Sequence, residues 1–144
     1  MMLQEKKKLE SAVGAEVKSC RQHWLRFSWS DTWKTQQKAN FKLDTTLGFN
    51  DRPGFRNGTA LSFRPWDPED GRPLSITSIP NVLMDSQFYD YYSYTELERE
   101  EEIRKWVDEV NFVHGECTII WHQRVLSLDY GWDKGFIGII EKLG

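Results

Sequence analysis

The sequence predicts an α/β protein, and two observations carry that prediction. Segments with the apolar spacing of amphipathic helices alternate along the chain with short, apolar or β-branched runs that are typical of buried strands. Alternation of this kind indicates parallel strands joined by crossover helices. The 144 residues are enough for one domain with a hydrophobic core, so we expect residues 1–144 to form a single domain.

Four segments are expected to be helices, and they cover residues 3–13, 30–39, 95–113 and 132–143. The first is rich in straight-chain residues and is followed by Gly14, which favours a left-handed stop. Ser30 is expected to cap the second helix. The third opens with a capping box that starts at Thr95, and it should close with His114 in its last turn and Gly115 as the stop.

The apolar residues of the last two helices fall at helical spacing, which predicts one buried face on each. In the third helix these residues are Ile103, Trp106, Val107, Val110 and Val113. In the fourth helix they are Phe136, Ile139 and Ile140.

Five short runs are expected to be strands, and they cover residues 17–20, 41–43, 76–79, 82–84 and 117–121. Between the second and the third run, residues 45–74 lose all periodicity through repeated glycine and proline. Within that segment only residues 59–63 are a further strand candidate. Its aromatic and arginine content argues against disorder, so we expect a functional loop there.

Composition excludes several functional classes. The formal net charge of −3 argues against nucleic-acid binding, because proteins that bind phosphate chains usually carry a basic surplus. No apolar run approaches the length of a membrane span, and the absence of a signal-peptide pattern favours a cytoplasmic location. The two cysteines, Cys20 and Cys117, are expected to be buried, reduced thiols.

Ionisable side chains follow two of the predicted strands, where parallel strands present side chains to a ligand. His122 ends the run 117–121 and is a candidate proton donor or acceptor, although a histidine bonded to a backbone carbonyl is the structural alternative. Arg21, His23 and Trp24 follow the run 17–20. Arginine suits the orientation of a carboxylate, but it also commonly stabilises loops through its hydrogen bonds.

The remaining candidates for substrate binding are acids, arginines and a ring. Asp44 and Asp85 each follow a strand, and each could accept a substrate hydroxyl or serve the local fold. Arg56 and Arg64 stand beside aromatic residues, and Trp66 lies in a predicted loop. Exposed rings suit the apolar faces of sugars, while rings that close the end of a small core are the alternative. No metal-ligand spacing is present.

Four ordered motifs resemble the C-terminal half of a polysaccharide deacetylase (NodB-homology) domain, in a divergent bacterial branch. They are Arg-Gln-His-Trp-Leu-Arg-Phe at 21–27, Phe-Lys-Leu-Asp-Thr-Thr-Leu-Gly at 41–48, Gly-Phe-Arg-Asn-Gly-Thr at 54–59 and Ile-Trp-His at 120–122. The resemblance implies a partial, distorted (β/α) barrel that lacks its first strands. It also implies a metal-dependent hydrolase that removes acetyl groups from a carbohydrate, with a divalent metal such as zinc.

By this resemblance His122 is the catalytic acid and Arg21 orients a catalytic aspartate, while Trp24, Asp44 and Trp66 line the groove. The early Asp-Asp motif and the metal-binding histidine segment of the family have no counterpart in this sequence. The resemblance therefore implies an incomplete metal site and a weak or inactive isolated chain. It implies as partners a missing N-terminal half or a second copy at an open sheet edge. The alternative is a non-catalytic remnant that binds a carbohydrate or a partner protein.

Overall fold

The computed structural model describes residues 1–127 and 130–143, and these form a mixed helix and strand fold. The α-helices are α1 (Met2–Val13), α2 (Thr32–Lys38), α3 (Glu96–Phe112) and α4 (Asp133–Leu143). The strands are β1 (Ser19–Cys20), β2 (Leu43–Asp44), β3 (Trp66–Asp67), β4 (Arg72–Pro73), β5 (Thr77–Ser78), β6 (Asn81–Met84) and β7 (Thr118–Ile120). The predicted α/β class is confirmed, but the small sheets close no barrel within the described residues.

The parallel strands follow one another in chain order across the fold. β1 pairs with β2, β2 pairs with β5, and β6 pairs with β7, all in parallel. β5 and β6 belong to one extended stretch that makes backbone hydrogen bonds on both sides. Ile79 N donates to Asp44 O at 2.8 Å on the side of β2, and Thr118 N donates to Pro80 O at 2.7 Å on the side of β7. The stretch from β5 to β6 therefore joins the two parallel sheets.

Two separate hydrophobic clusters lie against these sheets. The first contains Trp33, Ala39, Phe41, Leu47, Leu74 and Ile76. The second contains Val82, Leu83, Phe88, Ile103 and Ile139. The first cluster is built by α2 and the strands around it, whereas α3 and α4 cover β6 in the second. The change of cluster between Ile76 and Val82 coincides with the change of sheet along the extended stretch.

The ends of α1 and α3 show how backbone conformation stops a helix. Gly14 adopts the left-handed conformation with φ of 69°, as predicted, and the capping box at Thr95 is present with both of its hydrogen bonds. The prediction for the end of α3 was wrong in detail. His114 itself takes the left-handed position with φ of 50°, so it is the stop. Gly115 instead allows the close approach of Ala60, whose carbonyl oxygen lies 2.5 Å from the place a Cβ would occupy.

The start of α2 also differs from the prediction. Asp31 rather than Ser30 holds the N-cap position, and no side-chain capping bond to the helix is made. Ser30 and Ser28 donate their hydroxyls to Asp31 Oδ2 at 2.6 and 2.8 Å. These bonds hold the Asp31 carboxylate against the preceding turn rather than against the first amides of the helix. Thr32 contributes instead by accepting the Ser28 amide at 2.8 Å.

The long aperiodic segment folds differently from the single strand predicted at residues 59–63. Only Phe63 there is bridged, in antiparallel pairing with Ser78. β3 and β4 form a short antiparallel hairpin that the glycine and proline content concealed. After β6 a π-helical turn, Gln87–Tyr91, was not predicted because its hydrophobic residues show neither helical nor strand periodicity.

The predicted buried faces are confirmed in their centres and fail at their margins. Ile103, Val107 and Val110 are buried in α3, but Val113 is 40% exposed where the helix ends. In α4 Ile139 is buried, whereas Ile140 is 53% exposed and therefore does not belong to the core. Both cysteines are free thiols, and burial raises the pKa of Cys117 to about 11. Within the described residues no helix has the length and hydropathy needed to cross a membrane.

Two glycine substitutions should shift stability in opposite directions. Gly115→Ala places a methyl group 2.5 Å from the Ala60 carbonyl oxygen, and this overpacking should lower the free energy of unfolding by about 1–3 kcal/mol. A Cβ at Gly138 in α4 meets no atom within 4 Å. The higher helix propensity of alanine in Gly138→Ala should therefore raise the free energy of unfolding by up to about 1 kcal/mol. Urea denaturation of both variants measures the difference. Equal stability of the two would contradict the close approach at Gly115.

Candidate functional site

The carboxyl ends of β6 and β7 carry an aspartate and a histidine in direct contact. Met84 and Ile120 face each other in the parallel register, so Asp85 and His122 emerge at the same edge of the sheet. Asp85 Oδ1 lies 2.7 Å from His122 Nδ1, and Asp85 Oδ2 accepts the His122 backbone amide at 2.6 Å. Both carboxylate oxygens thus hold the same residue, which fixes the position of its ring as well as of its backbone.

The two members of this pair differ in their access to solvent. The Asp85 side chain is fully buried, whereas 41% of the His122 side chain is exposed. Asp85 Oδ1 also accepts the amide of Ser86 at 2.7 Å, so the buried charge is supported by two backbone amides besides the ring. A buried carboxylate with these donors is satisfied, and the ring in front of it faces outward.

This arrangement has a defined chemical capacity. A carboxylate only accepts hydrogen bonds, so His122 Nδ1 carries the proton that is shared with Asp85. The other nitrogen, Nε2, can then accept a proton from water or return one to a leaving group. The negative charge of Asp85 stabilises the imidazolium that forms in such a transfer. The pair is therefore suited to general acid–base catalysis at the edge of the sheet.

Arg21 lies at the end of β1, and its guanidinium is bonded within the chain. Arg21 Nε donates to Thr45 O and Thr45 Oγ1, each at 3.2 Å, which joins the end of β1 to the end of β2. Burial lowers the pKa of Arg21, and the charge of Asp44 partly opposes this change. The guanidinium therefore has the loop-stabilising bonds that were the alternative to a role in binding.

Arg21 and His122 do not project from neighbouring strands, as a shared site would most simply require. β1 and β7 are the first and last members of the parallel series, with β2 and the stretch β5–β6 between them. Three strand spacings correspond to about 14 Å along a flat sheet. The neighbour of His122 is Asp85, which the sequence marked as a separate strand-end acid.

Asp44 is a buried acid whose oxygens are occupied. Its side chain accepts four hydrogen bonds, from Trp33 Nε1 at 3.0 Å, Gln36 Nε2 at 2.7 Å, Thr46 N at 3.2 Å and Ser78 Oγ at 3.4 Å. Asp44 is completely inaccessible to solvent. These contacts tie α2 to β2 and β5, so the structure places Asp44 in the framework rather than on a substrate surface.

The two predicted arginines of the long loop also make backbone contacts. Arg56 Nη1 donates to Gly48 O at 3.4 Å, and its guanidinium lies 5.7 Å from the centre of the Phe27 ring. Arg64 Nε donates to Leu74 O at 2.7 Å beside the β3–β4 hairpin. Arg56 thus joins the loops that follow β1 and β2, whereas Arg64 braces the hairpin.

Three other predicted residues stand open to solvent. Trp24 is 71% exposed and Trp66 is 62% exposed, and His23 contacts Trp24 edge-on with ring centres 6.1 Å apart. Trp24 and Leu25 both have positive φ, 62° and 47°, which is unusual for side chains of this size. Leu25 is buried, so the strained turn buries one apolar side chain and leaves the adjacent indole facing solvent.

The sequence analysis did not identify Gln87, which links the loop of residues 49–52 to the turn that begins at Asp85. Gln87 is buried, and its side chain bonds to the backbone of Met84, Phe49 and Arg52. Nothing in the sequence marks it, since glutamine in an aperiodic segment is normally a surface residue. Its role depends on contacts with residues more than 30 positions away.

The donors at this edge do not assemble a metal site. In residues 1–127 and 130–143 no group of three or more histidine, cysteine, aspartate or glutamate side chains is placed to hold a metal ion. The oxygens of Asp44 and Asp85 are engaged by donors of the chain itself. The described residues of this edge therefore do not fit the divalent ion that the resemblance implies.

Comparison of the chain with models of known protein families, with curated proteins and with solved structures finds no match. The resemblance to polysaccharide deacetylases is therefore based on the sequence motifs alone. The proposed chemistry of the site is based on the contacts between Asp85 and His122.

Asp85→Ala should change the protonation of the neutral His122 ring. Without the carboxylate the proton on Nδ1 loses its acceptor, so the tautomer with the proton on Nε2 should become populated. Nitrogen-15 NMR of the imidazole should therefore show Nδ1 protonated in the neutral wild-type ring and Nε2 protonated in part of the variant. Asp90→Ala, at an exposed position of the same π-helical turn, is the control. Unchanged ring signals in Asp85→Ala would contradict the contact.

Asp44→Asn should destabilise the fold strongly. The amide nitrogen would face donors such as Trp33 Nε1 or Gln36 Nε2, and the loss of a charged acceptor should cost about 2–4 kcal/mol of unfolding free energy. Asp70→Asn removes an exposed carboxylate that pairs with Arg72, and should change stability by less than about 1 kcal/mol. Equilibrium denaturation of both variants checks this contrast, and a small effect at Asp44 would refute the framework role.

Proposed function

We propose that this chain carries the proton-transfer part of an acyl hydrolase that acts on acylated carbohydrates. The observation that carries the proposal is the contact between the buried Asp85 carboxylate and the half-exposed His122 imidazole at the ends of adjacent parallel strands. The motif resemblance assigns the same histidine as the acid of a polysaccharide deacetylase. Geometry and resemblance thus select one residue by independent routes.

In this proposal His122 acts on the leaving group. Water adds to the acyl carbon of an amide or ester, and the resulting tetrahedral intermediate expels the sugar amine or alcohol. The C–N or C–O bond breaks as the proton on His122 Nε2 passes to the leaving nitrogen or oxygen. Asp85 holds the ring by its Nδ1–H throughout and stabilises its charged form. The proton of the attacking water goes to a base that the motif resemblance places outside the matched segments.

The strand order supports a partial barrel as the framework for this chemistry. β1, β2, the stretch β5–β6 and β7 are parallel and follow in chain order, which is the progression found around a (β/α) barrel. β1 and β7 form the outer ends of the series, and strands added there would extend the sheet. In this proposal a missing N-terminal half or a second copy of the chain supplies those strands. The base and the metal ligands come from the missing half, because this sequence has no counterpart of either motif.

Exposed indoles favour a carbohydrate as the substrate. Trp24 follows β1 at the same edge of the parallel series as Asp85 and His122, and most of its ring is open to solvent. A flat aromatic ring suits the apolar face of a sugar ring. Arg21 remains the candidate that orients a catalytic aspartate, and His23, Arg56 and Trp66 remain candidate binding residues in this proposal. Arg64, which braces the hairpin, and Asp44, which is buried, are less accessible to a ligand.

A second candidate function is carbohydrate binding without catalysis. It is favoured by the same exposed rings of Trp24 and Trp66, which need no acid or base to bind a sugar. The two functions predict different results for His122. Loss of the imidazole leaves sugar binding unchanged in a binding module, whereas it removes turnover in a hydrolase.

His122→Ala should lower the rate of deacetylation by about 10²–10⁴-fold if the ring transfers the proton. Turnover of an acetylated chito-oligosaccharide is measured with added zinc, and binding of the same sugar is measured by calorimetry. His114→Asn is the matched control, because His114 ends α3 with a positive φ that asparagine tolerates. Equal turnover in wild type and His122→Ala, with sugar binding retained in both, would refute the role of His122 and favour the binding module.

A further inference from the structure

We propose that Gln87 is a positioning residue that sets the geometry of the Asp85–His122 pair by joining three backbone segments. Its consequence for turnover rests on the proposed function, but its effect on the ring of His122 does not. The inference starts from a buried carboxamide that neither the motifs nor the proton-transfer chemistry use. Only 1% of the Gln87 residue surface is exposed.

The carboxamide uses both of its ends. Gln87 Oε1 accepts the amide of Met84 at 2.9 Å, and Met84 is the last residue of β6, immediately before Asp85. Gln87 Nε2 donates to Phe49 O and to Arg52 O, each at 2.7 Å. Met84 and the 49–52 loop are thus connected through one side chain. The three bonds define the orientation of the amide without ambiguity, because the acceptor end faces an N–H and the donor end faces two carbonyls.

This link acts on the catalytic pair through the end of β6. Asp85 holds both the backbone amide and the ring of His122, so a shift of the β6 end displaces both contacts together. The chain leaves β6 through a turn in which Ser86 N bonds to Asp85 Oδ1 and Gln87 begins a π-helical turn. π-helical turns occur frequently at functional sites. Here the turn brings a glutamine side chain back against the strand that it has just left.

The same link ties a second loop to the end of β6. Residues 49–52 belong to the connection after β2, and the Arg52 guanidinium lies 4.1 Å from the centre of the Phe49 ring. Gly54 N continues this contact with β6 by donating to Val82 O at 2.7 Å. Gln87 therefore fixes the loop after β2 against the strand that ends at Asp85.

Glutamine suits this position because it combines a donor and an acceptor at the required reach. Glutamate keeps an acceptor for the Met84 amide but, when ionised, has no donor for the two carbonyls. Methionine has a similar length and neither function, so it leaves three buried backbone groups without their partner. Gln87→Glu therefore removes the bonds to the 49–52 loop, and Gln87→Met removes all three bonds.

The test compares Gln87→Met with Gln37→Met. Gln37 also ties two segments together, through bonds from the amide and hydroxyl of Ser75, but it does so before the amino end of β5. We expect both variants to melt at lower temperature than wild type. Only Gln87→Met should change the nitrogen-15 signals of the His122 ring from the Nδ1-protonated form to a mixture. In a chain that turns over, kcat should fall by about 10–100-fold with KM little changed.

The outcomes separate this inference from the proposed function. Ring signals of His122 that stay at their wild-type positions in Gln87→Met would overturn the positioning role, whatever the activity. Equal turnover in wild type and His122→Ala refutes the hydrolase proposal, and the NMR comparison still decides the role of Gln87. Gln87→Asn keeps a carboxamide but is shorter by one methylene group, so it cannot reach Met84 and the 49–52 loop together, and it replaces Gln87→Met if that variant does not fold. Wild-type ring signals in Gln87→Asn would then overturn the inference.

Discussion

The stretch from β5 to β6 is the constraint on which the rest of the fold depends, because it makes hydrogen bonds on both sides. Toward β2 it receives support from Asp44 and Leu47, and toward β7 it pairs over its whole second half. The first hydrophobic cluster lies at its beginning and the second at its end. The two parallel sheets are therefore joined by about eight residues of the chain, 77–84.

This stretch ends in Asp85, and the burial of that acid explains the form of the site. A carboxylate without solvent requires donors, and it finds them in the backbone amides of Ser86 and His122 and in the imidazole. His122 follows β7, but it is held in place by Asp85 at the end of the neighbouring strand β6. Gln87, two positions later, does the same with a neutral side chain. It satisfies buried backbone groups of β6 and of the 49–52 loop. Stability and chemistry at this edge thus rest on the same hydrogen bonds.

The two buried acids at strand ends show how similar sequence contexts acquire different roles. Asp44 is the last residue of β2 and Asp85 directly follows β6, and both are inaccessible to solvent. Asp44 meets donors from α2 and β5, all of them interior, whereas Asp85 meets a ring that is partly open to solvent. A functional role at Asp85 therefore depends on the exposure of His122, and at Asp44 no such partner faces outward.

The sequence by itself determined the local features of this protein. The helix at α3 with its capping box, the left-handed Gly14, the order of the four α-helices and the strand-end position of His122 all follow from residue types over a few neighbouring positions. These features depend on short-range backbone and side-chain preferences, which a linear sequence displays directly.

The tertiary structure alone decided which strand ends meet. Asp85 and His122 are 37 positions apart, and Gln87 reaches Phe49 across 38 positions. The pairing of β7 with β6 rather than with β1, the stop at His114 and the β3–β4 hairpin likewise depend on long-range packing and hydrogen bonding. The physical reason is that buried polar groups must find partners wherever the chain brings them, and spacing along the sequence carries no information about that distance.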